Sequence, residues 1–394
     1  MNDIIFVRGR GGLGRALAGE DHISGLVVEM ANANIPAALV AAGLFVTIYS
    51  KQGAEDLGIS YSENTDNLEL DALKYTIDSI FEANKRAVLH IAVADTTDTK
   101  TVSTELLTLQ NKALGKVRQA LALAPSKDFA VGDLTTIQAS CDTLESQHKP
   151  LSVLYAPNFI GLTISEDLRA LDNKNVSVVV GMDGNGKGDE LSAAYSKTIS
   201  CGGAVLGTLS AAKVHENIGW IGKFNINKNS TNEFDVLKLA DGRLVSEISE
   251  TELDNLNDLG YIFLRKHIGI SGSYFNDTHT AIKVSSDYAY IENVRTIDKA
   301  VRTTRQFLLP YLNAPLYVNP DGTLTEETIA SFKNETERAL EEMERNGEIS
   351  TFVVQIDPDQ DVLSTSKLTI AIDISPVGVA RNIQVNIGFA ASVA

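Results

Sequence analysis

Cysteine and histidine, the residues that most often bind metals or act as nucleophiles, are scarce in this chain. It has two cysteines and six histidines among 394 residues. Cys141 and Cys201 lie far apart, without a CxxC motif or paired histidines beside them. This spacing argues against a metal site, and in a reducing compartment it favours two buried thiols. His90 stands inside an apolar run, where a hydrogen-bonded core histidine is more common than a ligand.

Long apolar segments are also lacking. The longest covers residues 35–49, contains Pro36 and Gly43, and is shorter than the roughly 20 residues that span a bilayer. The first residues lack the charged start and apolar core of a signal peptide. We therefore expect a protein that is made and kept in the cytosol, or released by lysis, and does not insert into a membrane.

Basic residues are outnumbered by acidic ones. The chain has 34 Lys and Arg against 51 Asp and Glu, for a formal net charge of -17. Binding along a nucleic acid requires clustered Lys and Arg, so no nucleic-acid partner is expected. Hydrophobic residues make up 44% and charged residues 22% of the chain, as in ordinary globular domains.

Between residues 32 and 228, apolar runs of strand length alternate with segments of helical periodicity. This alternation predicts an α/β domain with a mostly parallel sheet whose two faces are covered. The predicted strands are residues 87–93, 128–131, 151–155 and 176–180, and the predicted helices are residues 67–84, 104–123 and 135–147.

The pattern changes after residue 228 and predicts an α+β region. Ser249 with Glu252 forms one predicted capping box, and Thr323 with Glu326 forms a second before a helix that Gly347 ends. A long helix or helix pair is predicted over residues 287–312, and strands are predicted at residues 352–356, 368–374 and 384–387.

Two glycine-rich segments resemble nucleotide-binding loops. Gly9, Gly11 and Gly14 fit G-x-G-x-x-G, but no apolar helical stripe follows them, so a flexible arm is the better interpretation. Gly181, Gly186 and Lys187 nearly complete a phosphate-binding loop, with Gly188 in place of the Ser or Thr that holds magnesium. A structural turn is favoured there, and a nucleotide-dependent enzyme that uses residues 181–188 remains the alternative.

Residues 269–272 approximate the nucleophile elbow of hydrolases, but the second glycine comes one position early, and Ser273 stands in its place. No motif of this chain is a complete enzyme signature. We therefore expect no catalytic residue, no cofactor and no metal.

Three surface features are candidates for contacts between proteins. Residues 381–389 alternate between apolar and polar side chains, as in a strand with one buried face, and such a terminal strand can add to a neighbour's sheet. The residues assigned to this strand are Arg381, Ile383, Val385, Ile387 and Phe389. A predicted acidic helix face carries Glu327, Glu335, Glu341 and Glu342, and a predicted basic helix face carries Arg295, Lys299, Arg302 and Arg305.

Six stretches spread over nearly the whole chain resemble a sheath-like family of Bacteroidetes-type prophages, which is in turn similar to the contractile tail sheaths. They are residues 11–26 (GGLGRALAGEDHISGL), 176–184 (VSVVVGMDG), 211–224 (AAKVHENIGWIGKF), 272–277 (GSYFND), 287–300 (DYAYIENVRTIDKA) and 377–389 (VGVARNIQVNIGF). The resemblance is most specific in the last third of the chain.

The resemblance implies a structural subunit that forms stacked six-fold rings around an inner tube and contracts to drive that tube through a target envelope. It implies an α/β outer domain inserted into an α+β core that both chain ends build. We expect residues 1–31 to be an N-terminal arm and core strand, 32–228 the outer domain, 229–375 the core and 376–394 the exchanged strand.

The implied partners are other copies of the chain, the tube protein, and baseplate and terminator proteins. The implied location is a virion tail or a phage-like particle. A non-contractile tail or baseplate structural protein is a further alternative.

Overall fold

The computed structural model describes residues 19–227, 232–385 and 387. Contacts between residues divide the chain into two compact units, Met1–Asp298 and Lys299–Ala394. Residues 1–18 of the expected N-terminal arm, including the glycine motif of Gly9, Gly11 and Gly14, lie outside the described residues.

The strands of the described residues belong to one large sheet and four two-stranded ones. In chain order they are β1 Ile23–Met30, β2 Phe45–Ile48, β3 Val88–Asp95, β4 Gln119–Asp128, β5 Ser152–Asn158, β6 Asp172–Asn173, β7 Val176–Val179, β8 Gly181–Asp183, β9 Leu237–Leu239, β10 Tyr261–Ile262, β11 Leu264–His267, β12 Ile270–Phe275, β13 Ala281–Ile282, β14 Ile349–Gln355 and β15 Ala371–Pro376.

In the first unit, α-helices cover both faces of the large sheet. The second unit has α-helices of its own. The α-helices of the described residues are α1 Ala37–Ala41, α2 Lys51–Glu55, α3 Leu68–Ala83, α4 Val102–Lys112, α5 Val131–Ser146, α6 Lys187–Tyr195, α7 Gly202–Ala211, α8 Glu250–Asp258, α9 Ile291–Leu308, α10 Glu326–Arg345 and α11 Val362–Thr365. Among the described residues, no helix combines the length and the apolar character that a membrane crossing requires.

The large sheet has seven strands in the order β10-β7-β5-β4-β1-β3-β2. All neighbouring pairs are parallel except β2, which runs antiparallel to β3 at one edge. The prediction of a mostly parallel, covered sheet is therefore confirmed. Because β1 lies in the middle of this sheet and β10 at its edge, the predicted limits of 32–228 are too narrow for the α/β domain.

Alternation along the strands sends side chains into two hydrophobic clusters, one on each face of the sheet. In β4, Leu121 and Leu123 contribute to one cluster, whereas Ala120 and Ala122 contribute to the other. Helices α3 and α7 cover the first face, and α4 and α5 cover the second. Burial of each large apolar side chain stabilises the fold by roughly 1.5–3 kcal/mol.

Helices α3 and α7 approach each other closely at two glycines. A Cβ atom at Gly203 would lie 2.5 Å from the carbonyl oxygen of Thr76, and one at Gly207 would lie 2.7 Å from that of Ile80. Only residues without a Cβ atom allow this backbone approach.

The helix predicted over residues 104–123 is wrong in its second half. Helix α4 ends at Lys112, and Leu114 and Gly115 then adopt left-handed φ angles of 56° and 72°. The apolar side chains from Val117 onward belong to the turn into β4 and to β4 itself. The strand predicted at residues 128–131 is also wrong, because β4 ends at Asp128 and α5 begins at Val131.

In the second unit, helix α10 packs against the hairpin of β14 and β15. Leu340 and Met343 of α10 form a small core with Ile349 and Val354 of β14. The cap of α10 is Thr325, whose hydroxyl accepts a hydrogen bond from the Thr328 amide, and not Thr323 as predicted. Thr323 instead donates its hydroxyl to Asp321 in the preceding turn, at 2.7 Å.

Candidate functional site

The loop between β8 and α6 is the segment that the sequence likened to a phosphate-binding loop. Its backbone amides are bound by carboxylates of the chain itself. Asp183 accepts hydrogen bonds from the amides of Gly186 at 2.6 Å and Phe234 at 2.7 Å. Glu233 accepts one from the amide of Lys187 at 2.6 Å. These carboxylates therefore occupy the positions at the start of α6 where phosphate oxygens would bind.

Burial affects the acid–base chemistry of this loop. Glu233 also accepts a hydrogen bond from the hydroxyl of Tyr75 at 3.0 Å. Burial, together with the nearby charge of Asp183, raises the pKa of Glu233 above its ordinary value. Burial also raises the pKa of the Tyr75 hydroxyl. The Tyr75 hydroxyl, the carboxyl groups of Asp183 and Glu233, and the first amides of α6 thus form one hydrogen-bonded network.

The loop glycines fit this internal network closely. A Cβ atom at Gly186 would lie 2.7 Å from carboxylate atoms of Asp183 and Glu233, and one at Gly188 would lie 2.6 Å from the Tyr75 hydroxyl oxygen. The local sequence gave no sign of Glu233, because it joins the loop from 46 residues further along the chain.

In the second unit, the two-stranded sheet of β14 and β15 carries one apolar face. Phe352 pairs with Ile374 and Val354 with Ile372 across the two strands. Within the described part of the chain, neither outer edge of this sheet has a strand partner. Each outer edge therefore offers a row of backbone hydrogen-bonding groups to a further strand.

The segment after β15 holds the residues that the sequence assigned to an exchanged strand. Arg381, Ile383, Val385 and Ile387 have no strand assignment in the described structure. Ile383, Val385 and Ile387 are 77%, 69% and 91% exposed. Phe389, the fifth residue of this set, lies outside the described residues. These three apolar side chains thus face solvent, and together they form an exposed apolar segment.

Helix α10 presents most of the predicted acidic face to solvent. Glu327, Glu341 and Glu342 are exposed. Glu335 is partly buried and accepts a hydrogen bond from Arg338 at 2.7 Å. The acidic face therefore reduces to three fully exposed carboxylates.

The predicted basic face needs a correction at Arg295. This side chain is 3% exposed and donates hydrogen bonds to the backbone carbonyls of Ala212 at 3.3 Å and Lys213 at 3.5 Å. The Arg295 guanidinium thus binds backbone carbonyls inside the first unit and is not part of an exposed basic face. In the second unit, Lys299 pairs with Glu348 at 2.7 Å, Arg302 is partly buried and Arg305 is exposed.

The other residues that the sequence suggested for catalysis or metal binding have structural roles. Gly269, at φ 86°, forms the turn of the β11–β12 hairpin, so the strand–turn–helix context of a nucleophile elbow is missing there. Ser273 is buried and donates its hydroxyl to the carbonyl of Phe234 at 2.6 Å. Cys141 and Cys201 are buried free thiols, and the hydrogen-bonding partner of His90 is Thr47 at 2.8 Å.

The structure has the fold of sheath proteins from contractile injection systems. It matches a chain of the anti-feeding prophage helical sheath in its contracted state, with a TM-score of 0.61, 14% identity and 98% coverage of both chains. It also matches a chain of the contracted PVC sheath complex of an extracellular contractile injection system, with a TM-score of 0.62 and 12% identity over 99% of this chain and 98% of that one.

A third similar structure is a chain in the six-fold symmetrised baseplate of the anti-feeding prophage. The TM-score is 0.59 and the identity 15%, over 99% of this chain and 100% of that chain. The resemblance to contractile tail sheaths that the sequence suggested is confirmed at the level of the fold.

The chain belongs to the DUF2586 family. The model of the N-terminal domain of DUF2586 matches residues 1–279, and that of its C-terminal domain matches residues 287–394. No curated protein matches the chain.

Proposed function

We propose that this protein is a structural subunit of a contractile tail sheath and has no catalytic role. The observation that carries the proposal is the likeness of the entire chain, not of one domain, to chains of two contracted sheaths. The self-capped loop between β8 and α6 supports it further, because it removes the best enzyme candidate of the sequence.

In this proposal, the subunits assemble as stacked six-fold rings around an inner tube, and contraction of the sleeve drives the tube through a target envelope. The partners are other copies of the chain, the tube protein, the baseplate and a terminator. The particle is a phage tail or a phage-like injection machine, assembled in the bacterial cytoplasm. The energy of contraction is stored during assembly, so no nucleotide is required.

The arrangement within the subunit is part of the same proposal. The α/β domain is an outward insertion in a core to which both chain ends contribute. The order of the chain supports this, because residues 1–22 precede the strands of the seven-stranded sheet and residues 263–394 follow them.

We further propose that neighbouring subunits are joined by exchanged strands. The outer edges of the β14–β15 sheet accept strands, and residues 381–389 of a neighbour supply one. Such a strand makes about four to six main-chain hydrogen bonds, each worth roughly 0.5–1.5 kcal/mol. Ordering the free segment costs about 1–2 kcal/mol per residue, so the strength of the polymer comes from many repeated contacts.

A chain that stops after Pro376 tests this mechanism, since it keeps the β14–β15 hairpin and removes the proposed donor strand. We expect a folded subunit with a nearly normal melting curve that sediments as a monomer and forms no tubes. Tubes of normal length from the shortened chain would contradict strand exchange.

Two full-length double variants distinguish the loss of the apolar strand face from the effect of added negative charge on assembly. Ile383→Asp with Val385→Asp should abolish assembly. Asn382→Asp with Gln384→Asp adds the same charge on the other face and should leave assembly largely intact. Equal loss of assembly in both pairs would rule out an apolar strand face.

A structural role in the baseplate is the second candidate, since the chain also matches a baseplate chain along its full length. Gold labelling of the protein on intact particles distinguishes the two: a sheath subunit is labelled along the tail, and a baseplate subunit only at its end.

A further inference from the structure

A cavity of about 370 Å³ lies in the first unit, beside helices α3 and α7. Helix α3 lines the cavity with residues that include Ser79 and Ala83. Helix α7 lines it with residues that include Thr208 and Ala211. This volume is in the range of small-molecule sites, which are about 300–1,000 Å³. The proposed sheath role assigns no function to this cavity.

The cavity has an aromatic and apolar body. Tyr61, Tyr75, Phe224 and Phe234 contribute rings to its lining, and Ile226 adds an aliphatic side chain. Tyr75, Phe224 and Phe234 are themselves buried, so their positions are fixed by the surrounding core. Such walls suit a flat hydrophobic group.

Three lysines line the same cavity, Lys51, Lys187 and Lys223. The ammonium of Lys187 lies 5.2 Å from the centre of the Tyr61 ring, and that of Lys223 lies 5.0 Å from the centre of the Phe224 ring. These contacts hold both charges against the aromatic walls.

The carboxyl groups of the lining already accept hydrogen bonds from this chain. Asp78 accepts from Lys74 at 2.7 Å and from the Tyr61 hydroxyl at 3.1 Å, and Glu233 accepts from the Lys187 amide and from Tyr75. Glu82 pairs with Lys51 at 3.3 Å.

An ammonium group, by contrast, has three donor hydrogens. Lys187 bonds Glu190 at 3.2 Å, and this glutamate is 70% exposed, where an ion pair contributes little. Lys223 bonds Glu216. Each ammonium therefore retains donor capacity for a further acceptor, and each carboxylate of the lining already accepts hydrogen bonds from this chain.

We propose that this cavity is a binding site for a small amphipathic anion: a flat apolar group between the aromatic walls, with a carboxylate or sulfonate at Lys187 and Lys223. The proposal concerns the isolated subunit and does not depend on sheath assembly.

Calorimetric titration of the full chain with 8-anilinonaphthalene-1-sulfonate, an aromatic anion, tests it. We expect one site per chain. Ala211→Phe places a ring in the lining and should weaken binding at least about tenfold, a change of roughly 1.4 kcal/mol. Ala139→Phe adds the same ring at an exposed position of α5 and should bind like the natural chain. Equal binding by Ala211→Phe and Ala139→Phe overturns the site.

The role of the lysine charges in anion binding is tested with the double variant Lys187→Gln and Lys223→Gln. These substitutions do not fill the cavity. The double variant should lose about tenfold in affinity for the sulfonate, and it should bind the neutral N-phenyl-1-naphthylamine as the natural chain does. Thioflavin T, an aromatic cation, should not bind at this site. Unchanged sulfonate affinity in the double variant, or binding of the cation that Ala211→Phe removes, overturns the preference for an anion.

Discussion

The backbone amide of Lys187 donates a 2.6 Å hydrogen bond to Oε1 of Glu233, and this bond closes the loop that most resembles a phosphate-binding loop. Asp183 binds two further amides of the same region. A nucleotide would have to displace both carboxylates and would meet their negative charge.

Nucleotide binding is therefore expected to be absent. Titration of the purified chain with ATP and magnesium in a calorimeter should give no heat of binding. Lys187→Ala should behave identically, because the backbone amide at this position already donates to Glu233, and the side chain only pairs with the exposed Glu190 and lies over the Tyr61 ring. Micromolar binding that the variant loses would restore the enzyme alternative.

Asp183 should be a major determinant of stability. It is fully buried, and Asp183→Ala leaves the amides of Gly186 and Phe234 without their acceptor. Hydrogen bonds to charged groups are worth about 1.5–3 kcal/mol each, so the free energy of unfolding should fall by roughly 3–6 kcal/mol. Urea unfolding measures this. Lys187→Ala is the control and should change it by less than about 0.5 kcal/mol.

Glu233 should make stability depend on pH. Its folded-state pKa lies above its ordinary 4.5, because burial and Asp183 disfavour the charged form. Its stabilising contribution is thus complete below pH 4.5 and is lost as pH rises through the folded-state pKa. The stability of the natural chain relative to Glu233→Gln should fall between pH 4.5 and pH 7.5.

Urea unfolding at both pH values checks this expectation. Glu190→Gln is the matched control, since Glu190 lies in α6, the helix whose first amide binds Glu233, and its side chain is 70% exposed. This variant should keep the pH dependence of the natural chain. A Glu233→Gln variant with that same pH dependence would show that Glu233 does not titrate as proposed.

The contact between α3 and α7 should tolerate no side chain at Gly203. Gly203→Ala places a Cβ atom 2.5 Å from the carbonyl oxygen of Thr76, which is backbone and cannot rotate away. Overpacking of this kind costs about 1–3 kcal/mol. Gly132→Ala is the control in α5, where nothing lies within 4 Å, and it should be neutral or slightly stabilising. Thermal unfolding of both variants should separate them clearly.

Local sequence patterns predicted the elements whose apolar periodicity is continuous. Helix α3 and strand β7 were predicted to within one residue at each end, and strands β3 and β5 to within three. The junction of α4 and β4 was not, because its boundary rests on left-handed φ angles at Leu114 and Gly115, and apolar residues continue on both sides. The class of fold was therefore easier to predict from the sequence than the ends of individual helices and strands.

Features of the site that depend on distant contacts could not be predicted. The capping of α6 by Glu233 joins residues far apart in sequence. Arg295 follows the spacing of a solvated basic face, yet it serves backbone carbonyls of Ala212 and Lys213. Thr323 and Thr325 are both good capping residues, and the turn at Asp321 determines which one caps α10.

The exposed acidic face of α10 is expected to set the register of assembly rather than to stabilise the fold. Glu327→Lys, Glu341→Lys and Glu342→Lys together should change the free energy of unfolding little, since exposed charges contribute about 0–1 kcal/mol each. Co-assembly with the tube protein at low salt should weaken, and sedimentation measures it.

A charge-matched control uses exposed acidic residues of the first unit, Glu247→Lys, Asp254→Lys and Asp258→Lys. It should assemble normally. If both triple variants co-assemble equally well, the α10 face makes no specific contact.

The central claim, that this chain polymerises as a sheath, is tested most directly by negative-stain electron microscopy of the full chain produced together with its tube protein. The account predicts regularly striated tubes or six-fold rings surrounding the inner tube. Uniform single-chain particles at high protein concentration, beside bare inner tubes, would contradict it.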